Sequence, residues 1–207
     1  MVFPLLYNGP INYFARLVRE KDIILEHFDH YIKQTYRNRC RIAGPNGVIT
    51  LSIPVKRKRG KKNLYRDIRI DYENSWNKIH WRSIVAAYAS SPFFEFIGDD
   101  LMPFYEKRFE FLADLNHQLL EKTLKILALE ISMRFSDDFQ DISGKNDPRY
   151  FIHPKKDQEV ADPGFRPVTY HQVFSDKYGF RANLSILDLL FNQGPGSLTI
   201  LKQSLRT

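Results

Sequence analysis

The first 26 residues carry the pattern that most constrains the fold. An apolar, strand-like run at Val2–Tyr7 is followed by the turn residues Asn8-Gly9-Pro10, and Ile11–Arg19 then has apolar residues at helical spacing. Ile23–Glu26 is a second β-rich run. A strand, a helix and a strand in this order predict a β-α-β unit with parallel strands and a right-handed crossover. The start of the chain therefore favours an α/β fold.

A hairpin signal follows at Gly44-Pro45-Asn46-Gly47. This turn separates two β-rich runs, Tyr31–Ile42 and Val48–Val55. Asn-Gly between two such runs is typical of a tight turn that joins antiparallel strands. We therefore expect a β-hairpin here and a mixed sheet in the N-terminal part of the chain.

The middle of the chain, about residues 75–130, has the period of helices. Ser75–Ala89 predicts a helix that Pro92 should end. A second helix is expected after Asp99-Asp100, with Pro103 in its first turn and an apolar stripe that reaches about Leu129. Core packing is a sufficient explanation for this stripe.

The last third predicts short elements around a long loop. We expect a strand at Ile131–Phe135, followed by a polar break at Asp137–Asp147. Two short strands, Tyr150–His153 and Tyr170–Phe174, are expected on either side of the loop Pro154–Pro167. A helix capped by Asn183 or Ser185 should then stop at Gly194-Pro195-Gly196, and a last helix should span Ser197–Leu205. The whole chain, residues 1–207, is expected to form one α/β domain: a β-α-β unit with a mixed sheet and a β-hairpin, then a helical segment, then short C-terminal strands and helices.

Composition supports one packed core and limits where the protein acts. The 207 residues are 43% hydrophobic and 14% aromatic, which is unlike a disordered chain. The single cysteine, Cys40, cannot form an intramolecular disulfide, and the N-terminus lacks the pattern of a secretory signal. No apolar run approaches the roughly 18 residues that cross a bilayer. We therefore expect a cytoplasmic protein.

The net charge of +7 is concentrated in one segment. Lys56–Lys62 holds six cations and no acid, so the rest of the chain is close to neutral. Such a run can be a solvated connection between strands, or an electrostatic patch for nucleic acid, an acidic surface or a protein partner. No recognisable nucleic-acid motif accompanies it, and both interpretations stay open.

Polar residues with strand alternation precede the hairpin turn. If Tyr31–Ile42 is a strand, Arg37, Arg39 and Arg41 share one face, and the other face carries Gln34, Tyr36, Asn38 and Cys40. Neighbouring arginines would then lie roughly 6.5–7 Å apart, a spacing suited to a phosphate or carboxylate. A solvated outer face is the alternative, and the polar residues of the other face need protein or ligand partners.

The other reactive side chains give weaker signals. Alternation directs the flanking arginines away from Cys40, which favours a small buried residue over a nucleophile. His80 leads the stretch His80-Trp81-Arg82-Ser83 and is a candidate general base, with a packing or surface role as the alternative. The histidines lack the spacing of a metal site, and we expect neither a metal nor a cofactor. Gly9-Pro10 could present a helix N-terminus to a phosphate.

Several segments together resemble the WbqC-like family. They are, in order, His30–Ile42, His80–Ser83, the turn Ser90–Phe94, Pro103–Glu106 and the tail Asn183–Gly194. Members look like soluble bacterial proteins, some encoded with the machinery for O-antigen and other surface polysaccharides, and a glycine- or acyl-transferring role in sugar modification has been suggested for them. The family pattern near the hairpin falls on Tyr31-Ile32-Lys33, Tyr36, Asn38-Arg39 and Arg41.

The resemblance implies a transferase that acts on an activated, anionic sugar. Lys33, Arg39 and Arg41 would hold the phosphate or carboxylate of a nucleotide sugar or acyl donor, with Tyr36 in the same binding region. Gln34 and Asn38 would orient polar groups of the substrate, and His80 would be the base. The alternative is a non-catalytic binding protein that uses the basic loop, residues 56–62.

Overall fold

The computed structural model describes residues 1–56, 63–141, 147–152 and 162–206. The strands are β1 (Val2–Pro4), β2 (Asp22–Glu26), β3 (Arg39–Gly44), β4 (Gly47–Ser52), β5 (Val55–Lys56), β6 (Arg69–Ile70) and β7 (Ser132–Phe135). The helices are α1 (Ile11–Leu17), α2 (Trp76–Tyr88), α3 (Phe94–Leu101), α4 (Pro103–Glu106), α5 (Leu112–Ile126), α6 (Pro148–Phe151), α7 (Ser175–Tyr178), α8 (Ile186–Gln193) and α9 (Ser197–Gln203).

A three-stranded parallel sheet has the order β1-β2-β7. β1 pairs with β2 from Val2 opposite Ile24, and β2 pairs with β7 from Asp22 opposite Ser132. Helix α1 connects the first two strands, so the predicted β-α-β unit and the α/β class are confirmed. β1 stops at Pro4, before the predicted end, because the chain then turns towards the hairpin and the Tyr7 amide donates to the Tyr36 carbonyl at 2.9 Å.

The predicted hairpin is confirmed as the antiparallel pair β3 and β4. Its register runs from Arg39 opposite Ser52 to Gly44 opposite Gly47. Gly47 has a φ of 108°, a value that L side chains rarely adopt, which explains the glycine at this end of the turn. Parallel and antiparallel pairs both occur, and they belong to separate sheets.

The N-terminal part of the predicted strand Tyr31–Ile42 is wrong. Residues 33–38 form turns and a bend, and the strand begins only at Arg39. Gln34 has a φ of 65°, and the Asn38 amide donates to the Thr35 carbonyl across a turn. Local turn hydrogen bonds therefore replace strand pairing over this polar stretch.

The predicted first helix is confirmed by α2, whereas the long second helix is wrong. Asp99 and Asp100 lie inside α3, and the stretch expected as one helix is divided into α4 and α5. The break falls at residues 107–111 because this segment pairs with β6: the Ile70 amide donates to the Glu110 carbonyl at 3.0 Å, and the Leu112 amide donates to the Ile68 carbonyl at 2.9 Å.

The C-terminal predictions are confirmed in part. β7 and the last two helices form as expected, and the Ser185 hydroxyl caps α8 by accepting the Leu187 amide at 3.3 Å. The strand expected at Tyr150–His153 is wrong for residues 150 and 151, because they belong to α6. His153 lies outside the described residues. No strand forms in the described segment Tyr170–Phe174. Residues 57–62 of the basic loop and 153–161 of the long loop also lie outside the described ranges.

One cluster of buried apolar side chains extends from Phe3 in the first strand to Leu201 in the last helix. The helical middle, the parallel sheet and the inner face of the hairpin all contribute to it. Within the described ranges, none of the helices combines the length and the apolar character that a bilayer crossing requires.

Candidate functional site

The hairpin presents two arginines side by side. Arg39 and Arg41 alternate with the buried residues Cys40 and Ile42 along β3, so both guanidinium groups lie on the half-exposed face. The prediction that Arg39 and Arg41 share a face is confirmed.

Within the described part of the chain, Arg39 and Arg41 form no ion pair, and each has a buried nitrogen without a hydrogen bond. The Nε atoms of Arg39 and Arg41 are both shielded from solvent, and neither has a hydrogen-bond partner among the described residues. The ion pairs formed within the described ranges involve other cations, such as Arg37 with Asp29 and Arg16 with Asp162, and none includes Arg39 or Arg41. A buried N–H group without a partner costs roughly 1–3 kcal/mol of stability. An anion bound at this face would remove that cost, because it could accept hydrogen bonds from these N–H groups.

Arg37 does not belong to this pair, so the predicted three-arginine ladder is wrong. Its guanidinium forms an ion pair with Asp29, donates to the His30 carbonyl at 3.0 Å and lies over the Tyr65 ring at 5.1 Å. Residue 37 precedes β3, and the alternation of the strand does not apply to it. Arg37 instead ties the turn region to the segment that follows β2.

The remaining predicted binding residues divide into two groups. Lys33 and Gln34 are exposed, whereas Tyr36 and Asn38 are buried at 3% and 8% exposure. The expected common face of Gln34, Tyr36, Asn38 and Cys40 is therefore wrong, since residues 31–38 are not a strand. Asn38 donates through Nδ2 to the Ile53 carbonyl at 2.9 Å, and its Oδ1 has no partner in the described part of the chain.

A buried polar cluster, here called the Tyr7 cluster, lies in the core at the turn that follows β1. It consists of Tyr7, Asn8, His80 and Tyr105. The Tyr7 hydroxyl is 2.8 Å from His80 Nδ1 and 3.3 Å from the Tyr105 hydroxyl, and Asn8 Nδ2 donates to the Tyr105 hydroxyl at 3.0 Å. Only His80 had been selected from the sequence, because the other three residues lie in apolar or turn patterns without any repeated spacing.

Burial shifts the pKa of each titratable group in this region in the direction that favours its neutral form. Burial lowers the pKa of His80 to about 4, although a hydrogen bond with the Ser52 backbone opposes this shift. Burial also raises the pKa of the Tyr7 and Tyr105 hydroxyls. Cys40 is 1% exposed, and burial raises the pKa of its thiol, which confirms it as a small buried residue.

His80 occupies the fifth position of α2 and is 4% exposed. A histidine with a lowered pKa is a weak base, and its Nδ1 is already hydrogen-bonded to Tyr7. These contacts fit a positioning role for His80, and its role as a general base stays a prediction.

The N-terminus of α1 is occupied by another part of the chain. The Ile11 amide donates to the Leu184 carbonyl at 3.0 Å, and the Asn12 amide donates to Asn183 Oδ1 at 2.9 Å. The Ser185 hydroxyl donates to the Asn8 carbonyl at 2.8 Å. The turn Gly9-Pro10 therefore has no free amide at these two helix positions, and the phosphate site expected there is not formed.

No three His, Cys, Asp or Glu side chains come together as a metal-binding group in the part of the chain that the structure describes. The fold and the site thus define a small α/β protein with an unpaired arginine pair on a hairpin and a neutral polar cluster in its core.

Comparison with known proteins agrees with the sequence resemblance. The chain matches the WbqC-like protein family over residues 7–162, which is more than half of its length, and it belongs to that family. The matched range includes the hairpin, His80 and Tyr105, and it ends before the tail segment Asn183–Gly194.

Among curated proteins, the chain is similar to the uncharacterized protein Rv1507c of Mycobacterium tuberculosis. The two are 28% identical over an alignment of length 204, and the match covers 88% of each chain. No solved structure matches the chain.

Proposed function

We propose that this protein is a transferase that moves an aminoacyl or acyl group to an activated, anionic sugar during surface-polysaccharide modification of the O-antigen type. The family membership and the arginine pair support the proposal. A cytoplasmic location, where nucleotide sugars and acyl donors are available, is part of it.

The arginine pair is the observation that carries the proposal. Arg39 and Arg41 lie two residues apart on one strand face, which separates them by roughly 6.5–7 Å. Their planar groups can each donate two hydrogen bonds to a phosphate or carboxylate. Thr50 and Ser52 lie opposite them in the hairpin register and place hydroxyl groups on the same face.

The other predicted residues take supporting roles in this proposal. Tyr36 and Asn38 are buried just before β3, where Asn38 would help to hold the start of the strand through the Ile53 carbonyl, and exposed Lys33 and Gln34 would meet only the outer part of a substrate. His80 would fix Tyr7 and the end of the hairpin through its contact with the Ser52 backbone. In the transfer itself, a sugar hydroxyl or amine forms a bond to the acyl carbon, the donor's leaving group departs with the electron pair of the bond that breaks, and the proton of the attacking group passes to that leaving group.

Binding should be tested before turnover. We would measure the thermal stability of the protein with nucleotide sugars and acyl-CoA donors, because a ligand that binds only the folded state raises the melting temperature. Arg39→Gln and Arg41→Gln should each weaken binding of a hit by about tenfold to a hundredfold, since a hydrogen bond to a charged group contributes about 1.5–3 kcal/mol. A donor and an acceptor that both bind would then be incubated together with the protein, and mass spectrometry would be used to detect the acylated sugar.

Arg134→Gln is the matched control, because Arg134 is 64% exposed and its ion pair with Asp137 is loose at 3.8 Å. It should leave binding unchanged. If Arg39→Gln and Arg41→Gln bind the hit as well as the unmodified protein does, the arginine pair is not the anion site and the proposal loses its main support.

The basic loop supports a second candidate, a binding protein without catalysis. Lys56–Lys62 would hold nucleic acid, an acidic surface or a protein partner. Such binding should weaken steeply with salt, since each neutralised phosphate releases counterions. Deleting residues 57–62 would abolish binding under this candidate and would leave a ligand of the arginine pair unaffected.

A further inference from the structure

The hairpin face that carries the arginine pair also carries two hydroxyl groups. Arg39 lies opposite Ser52 in the register of β3 and β4. Arg41 lies opposite Thr50, two residues further along. Residues that face each other in an antiparallel pair direct their side chains to the same side of the sheet. We call these four residues the donor face, because guanidinium groups donate hydrogen bonds and hydroxyl groups donate as well as accept them.

The two cross-strand pairs of the donor face are of the closely spaced kind. The Arg41 carbonyl accepts the Ser185 amide at 2.7 Å, so the backbone polar groups of Arg41 point away from β4. Arg41 and Thr50 therefore form a non-hydrogen-bonded pair, in which the Cα atoms lie about 4.5 Å apart and the side chains approach closely. Arg39 lies two residues earlier, so the pair that it forms with Ser52 is of the same kind. Each hydroxyl group is thus placed beside an arginine, where one anion can contact both.

The donor face has two positive charges and no acid of its own. The outward-facing residues of the hairpin strands are Arg39, Arg41, Ala43, Val48, Thr50 and Ser52. At the turn end, Ala43 and Val48 line a small pocket, and the segment 172–181 contributes uncharged residues and Arg181 to it. No ion pair found among the described residues includes either arginine of the donor face. An anion with two negative charges would match these two cations.

Carboxylates and phosphoryl groups use such a set of donors differently. A carboxylate has two oxygens in one plane and a single negative charge, and one guanidinium group can bind both oxygens. A phosphate monoester has three terminal oxygens and close to two negative charges at pH 7. Its tetrahedral oxygens can accept hydrogen bonds from both arginines and both hydroxyl groups at once. A carboxylate would leave part of the donor face without an acceptor.

We infer that the donor face binds a phosphoryl group that carries two negative charges. Arg39 and Arg41 bind its oxygens through their guanidinium groups, and the hydroxyl groups of Thr50 and Ser52 donate from the opposite strand. The phosphoryl group belongs either to a phosphate monoester of a sugar or to the diphosphate of a nucleotide sugar, which offer the same kind of oxygens. The inference rests on the proposed function and narrows it, because the activated sugar is then recognised by its phosphoryl group and not by a carboxylate.

Three sugars that differ at one carbon test the kind of anion. Glucose 6-phosphate, glucose 6-sulfate and glucuronic acid share the ring, and they carry a doubly charged phosphate, a singly charged sulfate or a singly charged carboxylate. In calorimetric titrations of the full chain, glucose 6-phosphate should bind at least about tenfold more tightly than glucuronic acid, with glucose 6-sulfate between them. UDP-glucose is titrated as well, and tighter binding of UDP-glucose than of glucose 6-phosphate would identify the diphosphate as the source.

Removing the hydroxyl groups distinguishes a phosphoryl group from a carboxylate at the same arginines. Thr50→Val keeps the shape of the side chain, and Ser52→Ala keeps the backbone that contacts His80. Each variant should weaken binding of the phosphorylated sugar by about twofold to tenfold, which is the usual effect of one hydrogen bond. Binding of glucuronic acid should stay unchanged, because a guanidinium group satisfies both of its oxygens. Ser132→Ala is the matched control, because Ser132 is an exposed strand residue on β7 and should alter neither affinity.

The possible outcomes separate this inference from the proposed function. If glucuronic acid binds as tightly as glucose 6-phosphate and Arg39→Gln weakens both, the inference is wrong, and the arginine pair remains the anion site of the proposed transferase. The inference is also wrong if Thr50→Val and Ser52→Ala leave binding of the phosphorylated sugars unchanged. If none of the four ligands binds, or if Arg39→Gln and Arg41→Gln leave their binding unaffected, the inference and the proposed function both lose their site.

Discussion

Asp188 is a buried carboxylate that no cation neutralises within the described residues. It is 0% exposed, and three neutral groups donate to it: the Tyr88 hydroxyl at 3.0 Å, the Tyr170 hydroxyl at 2.6 Å and Gln172 Nε2 at 2.7 Å. Tyr88 belongs to α2, and Tyr170 and Gln172 belong to the segment before α7, so the Asp188 carboxylate on α8 joins three parts of the chain.

Asp188→Ala leaves all three donors without an acceptor in the core. Each buried donor without a partner costs about 1–3 kcal/mol, and relaxation makes the sum less than additive. We expect a loss of about 3–5 kcal/mol in the free energy of unfolding, which is a large part of the total stability of an ordinary domain. Asp188→Asn keeps the volume and one acceptor oxygen, and it should cost about 1–2 kcal/mol at pH 7.

The pH dependence gives a sharper test. Burial raises the pKa of Asp188, and its three hydrogen bonds oppose the rise only in part. The folded state therefore holds the proton more tightly than the unfolded state, so the stability from this group is full below the unfolded pKa and is lost as pH rises through the folded pKa. The advantage of the unmodified protein over Asp188→Asn should shrink as pH increases through that window.

Urea unfolding followed by circular dichroism would measure both effects. The difference between the two proteins isolates Asp188, since every other carboxylate is common to both. A cost below about 1 kcal/mol for Asp188→Ala would refute the argument from unsatisfied donors. A difference between the unmodified protein and Asp188→Asn that grows with rising pH would refute the sign of the pKa shift.

Three further predictions concern other residues. Gly194→Ala should destabilise the protein by at least about 2 kcal/mol in the same unfolding assay, because residue 194 has a φ of 47° and an added Cβ would lie 2.4 Å from the Phe93 ring. Gly196→Ala is the control, because an added Cβ at residue 196 has no close neighbour. Cys40 should react with a thiol reagent only after unfolding, and rapid labelling of the folded protein would contradict its burial. Burial lowers the pKa of His80 to about 4, so its stabilising contribution is present above about pH 6.5 and is lost as pH falls towards 4. His80→Gln should therefore flatten the dependence of the free energy of unfolding on pH in this window. An unchanged slope would show that His80 titrates normally.

Local chemistry made the hairpin, the β-α-β unit and α2 predictable. Asn46-Gly47 is a turn signal at short range, and α2 has apolar residues at the helical period. That Arg39 and Arg41 share one face also followed from strand alternation, because this part of the predicted strand is correct. These features depend on neighbours within a few residues, and the sequence alone contains that information.

Other residues of the candidate sites had little or no local signal. Tyr7 and Tyr105 look like ordinary core aromatics in sequence, yet they meet across 98 residues. Asp188, which belongs to neither site, has a signal that the sequence analysis did not use, because a lone acid within the mostly apolar run 184–191 of a predicted helix indicates a buried polar contact. Its partners, however, could not be read from its surroundings.

The amino-acid sequence was enough to predict the class of fold, the hairpin, the half-exposed arginine pair and the family, because each depends on periodicity, turn chemistry or short motifs. Tertiary structure alone decided where strands and helices end against their neighbours. Arg37 left the predicted ladder because Asp29 and Tyr65 bind it, and the long helix broke because residues 107–111 pair with β6. Long-range partners that compete for a residue are invisible in a local pattern, and in this protein they decided which cations remain free to bind a ligand.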